Sequence, residues 1–269
     1  MPSFDADTAL RAAGPGRYDL EVPEHWRVGW GGVNGGYVAA VVTRALEATV
    51  ADPGRRPRSL TVHYVAGCRP GPAGIAVQVE RAGRSVTSLS ARVTQQGSTV
   101  ALALAAFAGD RPGFEFQHRP MPEAPPPDEV SSWPWRAAGP PFQSNWDSRP
   151  CVGGMPFSGA ADATTGGWIR PAEPGPLDAG LVAAMADAWM PPVMMLLDRP
   201  RGSVPTIDLT IHFRASLPPA GTVPGDFAFA VFESRIGALG YTESDGVIWS
   251  PSGRVLAQAR QLAFERRPA

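Results

Sequence analysis

The sequence predicts an α+β protein of two tandem units, each a curved antiparallel sheet wrapped around one central helix, and three observations lead there. Residues 206–214 alternate, with Ile207, Leu209, Ile211 and Phe213 apolar and Thr206, Asp208, Thr210, His212 and Arg214 polar, the period of a half-buried strand. Leu60-Thr61-Val62-His63-Tyr64 matches Leu209-Thr210-Ile211-His212-Phe213 position for position, and a Pro/Gly turn follows each copy. Each of these strands is preceded by an apolar run of helical length, residues 37–46 and 177–197. A run that is apolar nearly all round belongs to a helix enclosed by other elements.

In chain order, residues 18–22 predict a first strand. The glycine-rich stretch from Gly29 to Gly36, Gly-Trp-Gly-Gly-Val-Asn-Gly-Gly, then feeds the first central helix, which Asp52-Pro53-Gly54 ends. Arg55-Arg56-Pro57-Arg58 leads into the strand containing residues 60–64, and further strands are expected over 74–81, 86–95 and 99–108, the last two joined by the hairpin signal Gln96-Gly97. Residues 119–141 hold Pro125-Pro126-Pro127 and Pro140-Pro141, so they cannot continue a ladder and are expected to run extended as a linker. The units are therefore 1–118 and 142–269. In the second, residues 142–170 should hold the opening strands and 177–197 the helix. Strands over 206–213, 225–233, 240–249 and 255–264 then repeat the first unit, and Pro191-Pro192 should kink that helix or lie in its first turn.

Composition excludes several functions. The formal charge is −1 and no run of five like charges occurs, so neither nucleic acid nor an anionic membrane surface is an expected partner. All 24 basic residues are Arg, which removes Walker-type phosphate binding and Schiff-base chemistry. Cys68 and Cys151 have neither metal-ligand spacing nor the density of a disulfide scaffold, and read as reduced thiols. The N-terminal residues lack a signal-peptide pattern and no apolar run is long enough to span a membrane, so a cytoplasmic location is expected. No Gly-x-Ser-x-Gly elbow occurs. With four His in the chain, metal binding is not expected, nor is any cofactor.

Asp187 lies inside an apolar helical run, where an unpaired carboxylate is costly. It is either a catalytic acid or base, or a cap for the helix containing Pro191-Pro192. Aligning the halves by helix sets Asn34 opposite Asp187, each where its helix begins, so that one half keeps an ionisable group and the other does not. Thr206 opens its strand either as a simple β-branched edge residue or as a partner of Asp187, with Thr210 its rival. Gln258 and Gln261 lie in an otherwise apolar strand, where a buried amide needs a partner. Asp208 reads as an ion-pair partner of Arg214 or another Arg. Gly31, Gly32, Asn34, Gly35 and Gly36 offer backbone N–H groups to a ligand oxygen such as a phosphate, or serve close packing of helix and strand. His63 and His212, at equivalent places, point to a shared structural hydrogen bond.

Taken together, the order of elements and these residues resemble the acyl-CoA thioesterase II family over most of the chain. The likeness rests on Gly31-Gly32-Val33-Asn34-Gly35-Gly36, Arg69-Pro70-Gly71, and Phe107 with Pro112-Gly113-Phe114-Glu115 before the proline-rich linker. In the second half it rests on Asp187 in its helix, Thr206-Ile207-Asp208, and Val255-Leu256-Ala257 leading to Gln261. The resemblance implies a double hotdog fold and hydrolysis of an acyl-CoA substrate. It places the site's water-holding Asp, Thr and Gln on Asp187, Thr206 and Gln261, with Gln258 the alternative amide. It also implies a homo-oligomer. A silent acyl-thioester-binding or assembly module is the alternative function, and a hydratase or dehydratase a third, which would call for a His beside the Asp.

Overall fold

The structure is a computed structural model that describes residues 3–29, 31–133 and 139–266. Trp30 of the glycine-rich stretch and residues 134–138 of the expected linker lie outside the described residues. The helices are α1 (Phe4–Asp7), α2 (Gly35–Val50) and α3 (Ala179–Met185). The first-half strands are β1 (Arg11–Gly14), β2 (Arg17–Val22), β3 (Arg56–Tyr64), β4 (Gly71–Ala82), β5 (Thr87–Gln95) and β6 (Ser98–Ala108). The second half holds β7 (Trp146–Gly153), β8 (Thr164–Pro171), β9 (Thr206–Phe213), β10 (Ala228–Glu233), β11 (Gly237–Ala238), β12 (Tyr241–Trp249) and β13 (Val255–Phe264). No helix among the described residues is long and apolar enough to cross a membrane.

The strands form one antiparallel sheet in the order β1-β2-β4-β5-β6-β3-β9-β13-β12-β10-β8-β7, with β11 paired to β12. The order reads the same from either end once the halves are matched, so this is a double hotdog. The seam is the pairing of β3 with β9, where Leu60 faces Ile211, Thr61 faces Thr210 and Val62 faces Leu209. These are the repeated residues of the sequence, and the register makes Thr61 and Thr210 each other's partner. A pseudo-twofold axis therefore passes between them, and their hydroxyls meet at 3.0 Å.

The two helices fill the space inside the sheet and pack on each other. Helix α2 is buried from Gly36 through Thr43 and again at Ala45 and Leu46, as its uninterrupted apolar sequence requires. Asn34 caps it by accepting from the Tyr37 amide at 3.1 Å, and Ala51 in the left-handed region ends it. Asp178 caps α3 in the same manner, accepting from the Leu181 amide at 2.9 Å. The structural counterpart of Asn34 is thus Asp178 and not Asp187.

Three expectations are corrected. The second helix stops at Met185, well short of residue 197, because Pro191 and Pro192 cannot supply the amides a continued helix needs. Its end tightens into i→i+3 bonds, from Asp187 N to Ala184 O and from Ala188 N to Met185 O. Pro192 begins a separate 3-10 turn, Pro192–Met195. Asp187 consequently leaves α3 at its C-terminal end. The unbroken alternation expected of residues 206–214 also fails at its start. Thr206 faces Ala263 while Asp208 faces Leu262, so Ile207 is an extra residue in a bulge. The bulge turns Thr206 to the inner face, away from Asp208 and Thr210. The same bulge occurs in β3, where Pro57 faces Phe107 and Ser59 faces Ala106.

The proline-rich segment is anchored by specific hydrogen bonds. The Trp168 indole donates to Pro125 O at 2.8 Å and the Trp249 indole to Arg119 O at 3.4 Å. Met121, Ala124 and Val130 pack on a second small core of Trp168, Phe229, Val231, Val247 and Trp249.

Candidate active site

Asp187 crosses from the end of α3 to the beginning of α2 in the other half. Its Oδ2 accepts from the Gly36 amide at 3.0 Å and from the Asn34 side chain at 3.1 Å, while the same Asn34 nitrogen donates to the Asp187 carbonyl at 2.8 Å. Asn34 therefore has two tasks: its oxygen caps the helix and its nitrogen holds the carboxylate. The approach is close enough that only glycine fits. A Cβ at Gly35 would stand 2.9 Å from Asp187 Oδ2 and 3.0 Å from the Tyr64 ring, and one at Gly36 would overlap the Ala184 carbonyl oxygen. The Tyr64 hydroxyl donates to Gly35 O at 2.8 Å. Burial, reinforced by Asp187 and Asp208, keeps this phenol protonated well above its ordinary range.

Burial pushes the Asp187 carboxyl up to about 6, against hydrogen bonds from Gly36, Gly35, Gln261 and Asn34 that favour the anion. Its place at the first turn of α2, where backbone amides and the helix dipole face it, adds to that favourable side. The group is an anion at neutral pH, and its proton affinity is high enough for it to take one.

Thr206 and Gln261 stand on adjacent strands of the inner face. Thr206 donates to Gln261 Oε1 at 2.9 Å, which leaves the Gln261 amide nitrogen for Asp187. Gln258, three residues earlier in β13, lies on the opposite face, is exposed and sits across from His212. Strand parity thus separates the two glutamines. Thr210 bonds Thr61 at the seam and does not reach this cluster.

Other expected groups lie elsewhere. Gly31 and Gly32 close a turn with Val28, with Gly31 N donating to Val28 O at 3.0 Å and Val28 N to Gly32 O at 2.8 Å. The amides of Gly35 and Gly36 serve the carboxylate. Asp208 faces His63 across the seam and forms none of the ion pairs among the described residues, so the expected pairing with Arg214 is absent. His63 and His212 are exposed on the outer face, and neither imidazole makes a hydrogen bond among the described residues. His25 bonds Asp7 at 2.7 Å and His118 is exposed. None of the four shares the inner face with Asp187. Tyr64 is the contributor that sequence reasoning missed, although it ends a repeated strand whose other copy ends in Phe213.

The duplicated fold allows the mate of this cluster to be read directly. Pro57 stands where Thr206 does, and Ala105, opposite Leu60, stands where Gln261 does opposite Leu209. At the first turn of α3, Arg44 pairs with the Asp178 cap at 2.7 Å and with Asp5 at 2.7 Å. The mate keeps a carboxylate, Asp178, paired with Arg44, but has neither the hydroxyl nor the amide.

Comparison with known proteins agrees with this architecture. A family model for the acyl-CoA thioesterase N-terminal domain matches residues 22–108, and one for the acyl-CoA thioesterase C-terminal domain matches residues 117–264. Among solved structures, a hotdog-fold protein of unknown function from Alicyclobacillus acidocaldarius is 28% identical with a TM-score of 0.90, covering 99% of this chain and 98% of the other. The acyl-CoA thioesterase II of Mycobacterium marinum is 22% identical with a TM-score of 0.78, covering 99% of each chain. A comparison with curated proteins gives no match.

Proposed function

We propose that this chain, which belongs to the acyl-CoA thioesterase family, hydrolyses an acyl-CoA thioester with Asp187 as general base and Thr206 and Gln261 as the groups that hold the attacking water. The observation that carries the reading is the half-buried Asp187 carboxylate at the first turn of α2, with the Thr206–Gln261 pair beside it. In this mechanism water forms the new C–O bond as Asp187 takes its proton. The C–S bond then breaks, and the proton passes to the departing thiolate. The positive end of α2 favours the negative charge that develops on the carbonyl oxygen.

A thiol nucleophile is disfavoured, because burial pushes Cys68 up to about 11 and also raises Cys151. A hydratase reading lacks an imidazole on the inner face. The test is thiol release from short, medium, long and aromatic acyl-CoAs by the native protein, Thr206→Val and Gln261→Ala. Hydrolysis by the native chain with losses of roughly 10- to 1,000-fold in each variant is expected. A native protein that is stabilised by acyl-CoA yet releases no thiol is a binding module, and the catalytic reading then falls.

A further inference from the structure

Tyr64 ends β3 on the face it shares with Leu60 and Val62, and its hydroxyl donates to Gly35 O at 2.8 Å. The Gly35 carbonyl and the Gly36 amide are the two ends of one planar, trans peptide group, so they point in opposite directions. At the far end Gly36 N donates to Asp187 Oδ2 at 3.0 Å. The phenol, the peptide and the carboxylate therefore form one relay of two hydrogen bonds. The Gly36 amide is among those that the start of a helix leaves without an intrahelical partner, and Asp187 answers it.

Donation to a carbonyl polarises its peptide, which makes the N–H at the other end a stronger donor to an anion. A peptide bonded at both ends is also held against rocking, and so is the carboxylate oxygen it carries. The phenol stays a donor because burial, with Asp187 and then Asp208 adding to it, keeps it protonated. The duplicated strand supplies an internal comparison. Phe213 stands where Tyr64 does and is buried without a hydroxyl, and in that half the start of α3 is met by Arg44. Ring packing at this position needs no hydroxyl, and the copy that has one is the copy whose helix start holds the acid.

We propose that Tyr64 is a positioning residue for the reaction: through the Gly35–Gly36 peptide it fixes and strengthens the amide that holds the Asp187 carboxylate in place to take the proton of water. The proposal deepens the hydrolase reading and rests on it. Tyr64 acts through the peptide, so its hydroxyl matters for turnover and not for substrate binding.

The experiment records kcat and KM against pH for the native protein, Tyr64→Phe and Tyr18→Phe. The last deletes a phenol bonded to Thr49 at the other end of α2, at 3.0 Å, and should leave the profile unchanged. In Tyr64→Phe the plateau of kcat should fall roughly 5- to 50-fold with KM nearly constant. Its inflection should move up by about 0.3–1 pH, since the anion has lost part of its support. Placing 3-fluorotyrosine at position 64 keeps the ring and gives a stronger donor, so the inflection should move down; this variant carries the test if Tyr64→Phe does not fold. An inflection that stays in place in both variants, or that moves equally in Tyr18→Phe, overturns the proposal and leaves the hydrolase reading intact. A native protein that releases no thiol instead overturns the hydrolase reading. The relay is then read from a ¹³C NMR titration of the Asp187 carboxyl, where a midpoint raised in Tyr64→Phe upholds it and an unchanged one overturns it.

Discussion

Replacing Asp187 by Asn is expected to lower turnover by on the order of 10²–10⁴ and to make the protein more stable at neutral pH. The two effects share one cause. Burial raises the Asp187 carboxyl from 3.8 to about 6, so the folded chain holds this proton more tightly than the unfolded one. Between about pH 4 and 6 the folded state carries the extra proton, and stability falls as pH rises through that window. Above it the cost of keeping a partly buried anion is present, at most about 3 kcal/mol at about 1.4 kcal/mol per pKa step. Asn keeps an acceptor for the Gly36 amide and carries no charge, so it avoids most of that cost. Thermal unfolding of both proteins at pH 4 and pH 7.5 reads it out. The variant should melt higher at pH 7.5, and the gap should narrow at pH 4. A native protein that melts as high as the variant at pH 7.5 would show that the carboxylate is better solvated than its surroundings imply.

Gly36→Ala is the substitution outside the reacting groups with the largest expected effect. The added methyl would overlap the Ala184 carbonyl oxygen and stand 3.0 Å from Asn34 Oδ1. The obstacle on the α3 side is backbone, so the helices must separate instead of a side chain swinging away. Overpacking of this kind costs about 1–3 kcal/mol and more where the backbone must move. The same shift breaks the bond from Gly36 to Asp187, so activity should fall together with stability. Gly113→Ala is the matched control, since a methyl there meets nothing within 4 Å, and it should stay within about 0.5 kcal/mol of the native protein. Denaturant unfolding distinguishes the two. A neutral Gly36→Ala would mean that the helix crossing has slack.

Much of the fold was legible because burial imposes periodicity. Strand β9 and strand β13 run over the expected residues, and the all-round apolar run of α2 marks a helix enclosed by a sheet. The duplicated five-residue motif proved to be the seam itself, since a strand that pairs with its own copy must satisfy the same neighbours twice. The opening strands of the second half were expected within residues 142–170 but without bounds, because their residues oppose their state. Strands β7 and β8 contain Pro150, Gly166 and Gly167, and Gly166 is required because a Cβ there would strike the Ala230 carbonyl. In the site, residue identity pointed to Asp187 and Thr206, but geometry did not follow from it. The bulge at Ile207 inverts the face that alternation assigns to Thr206. The contact between Asn34 and Asp187 spans 153 residues, and no local pattern records that the end of one helix meets the start of the other.

The claim at the centre of this account is that Asp187, held by Asn34 and Gly36, is the base. The pH dependence of kcat/KM for the native protein and Asn34→Ser tests it most directly. Ser still caps α2 but is too short to hold the carboxylate. Because the Asn34 bond favours the anion, its loss should raise the Asp187 pKa further. The native profile should rise through an inflection near pH 6, and the variant's should rise at higher pH. A native profile with no inflection in that region, or one that Asn34→Ser leaves in place, would contradict the assignment of Asp187 as the base.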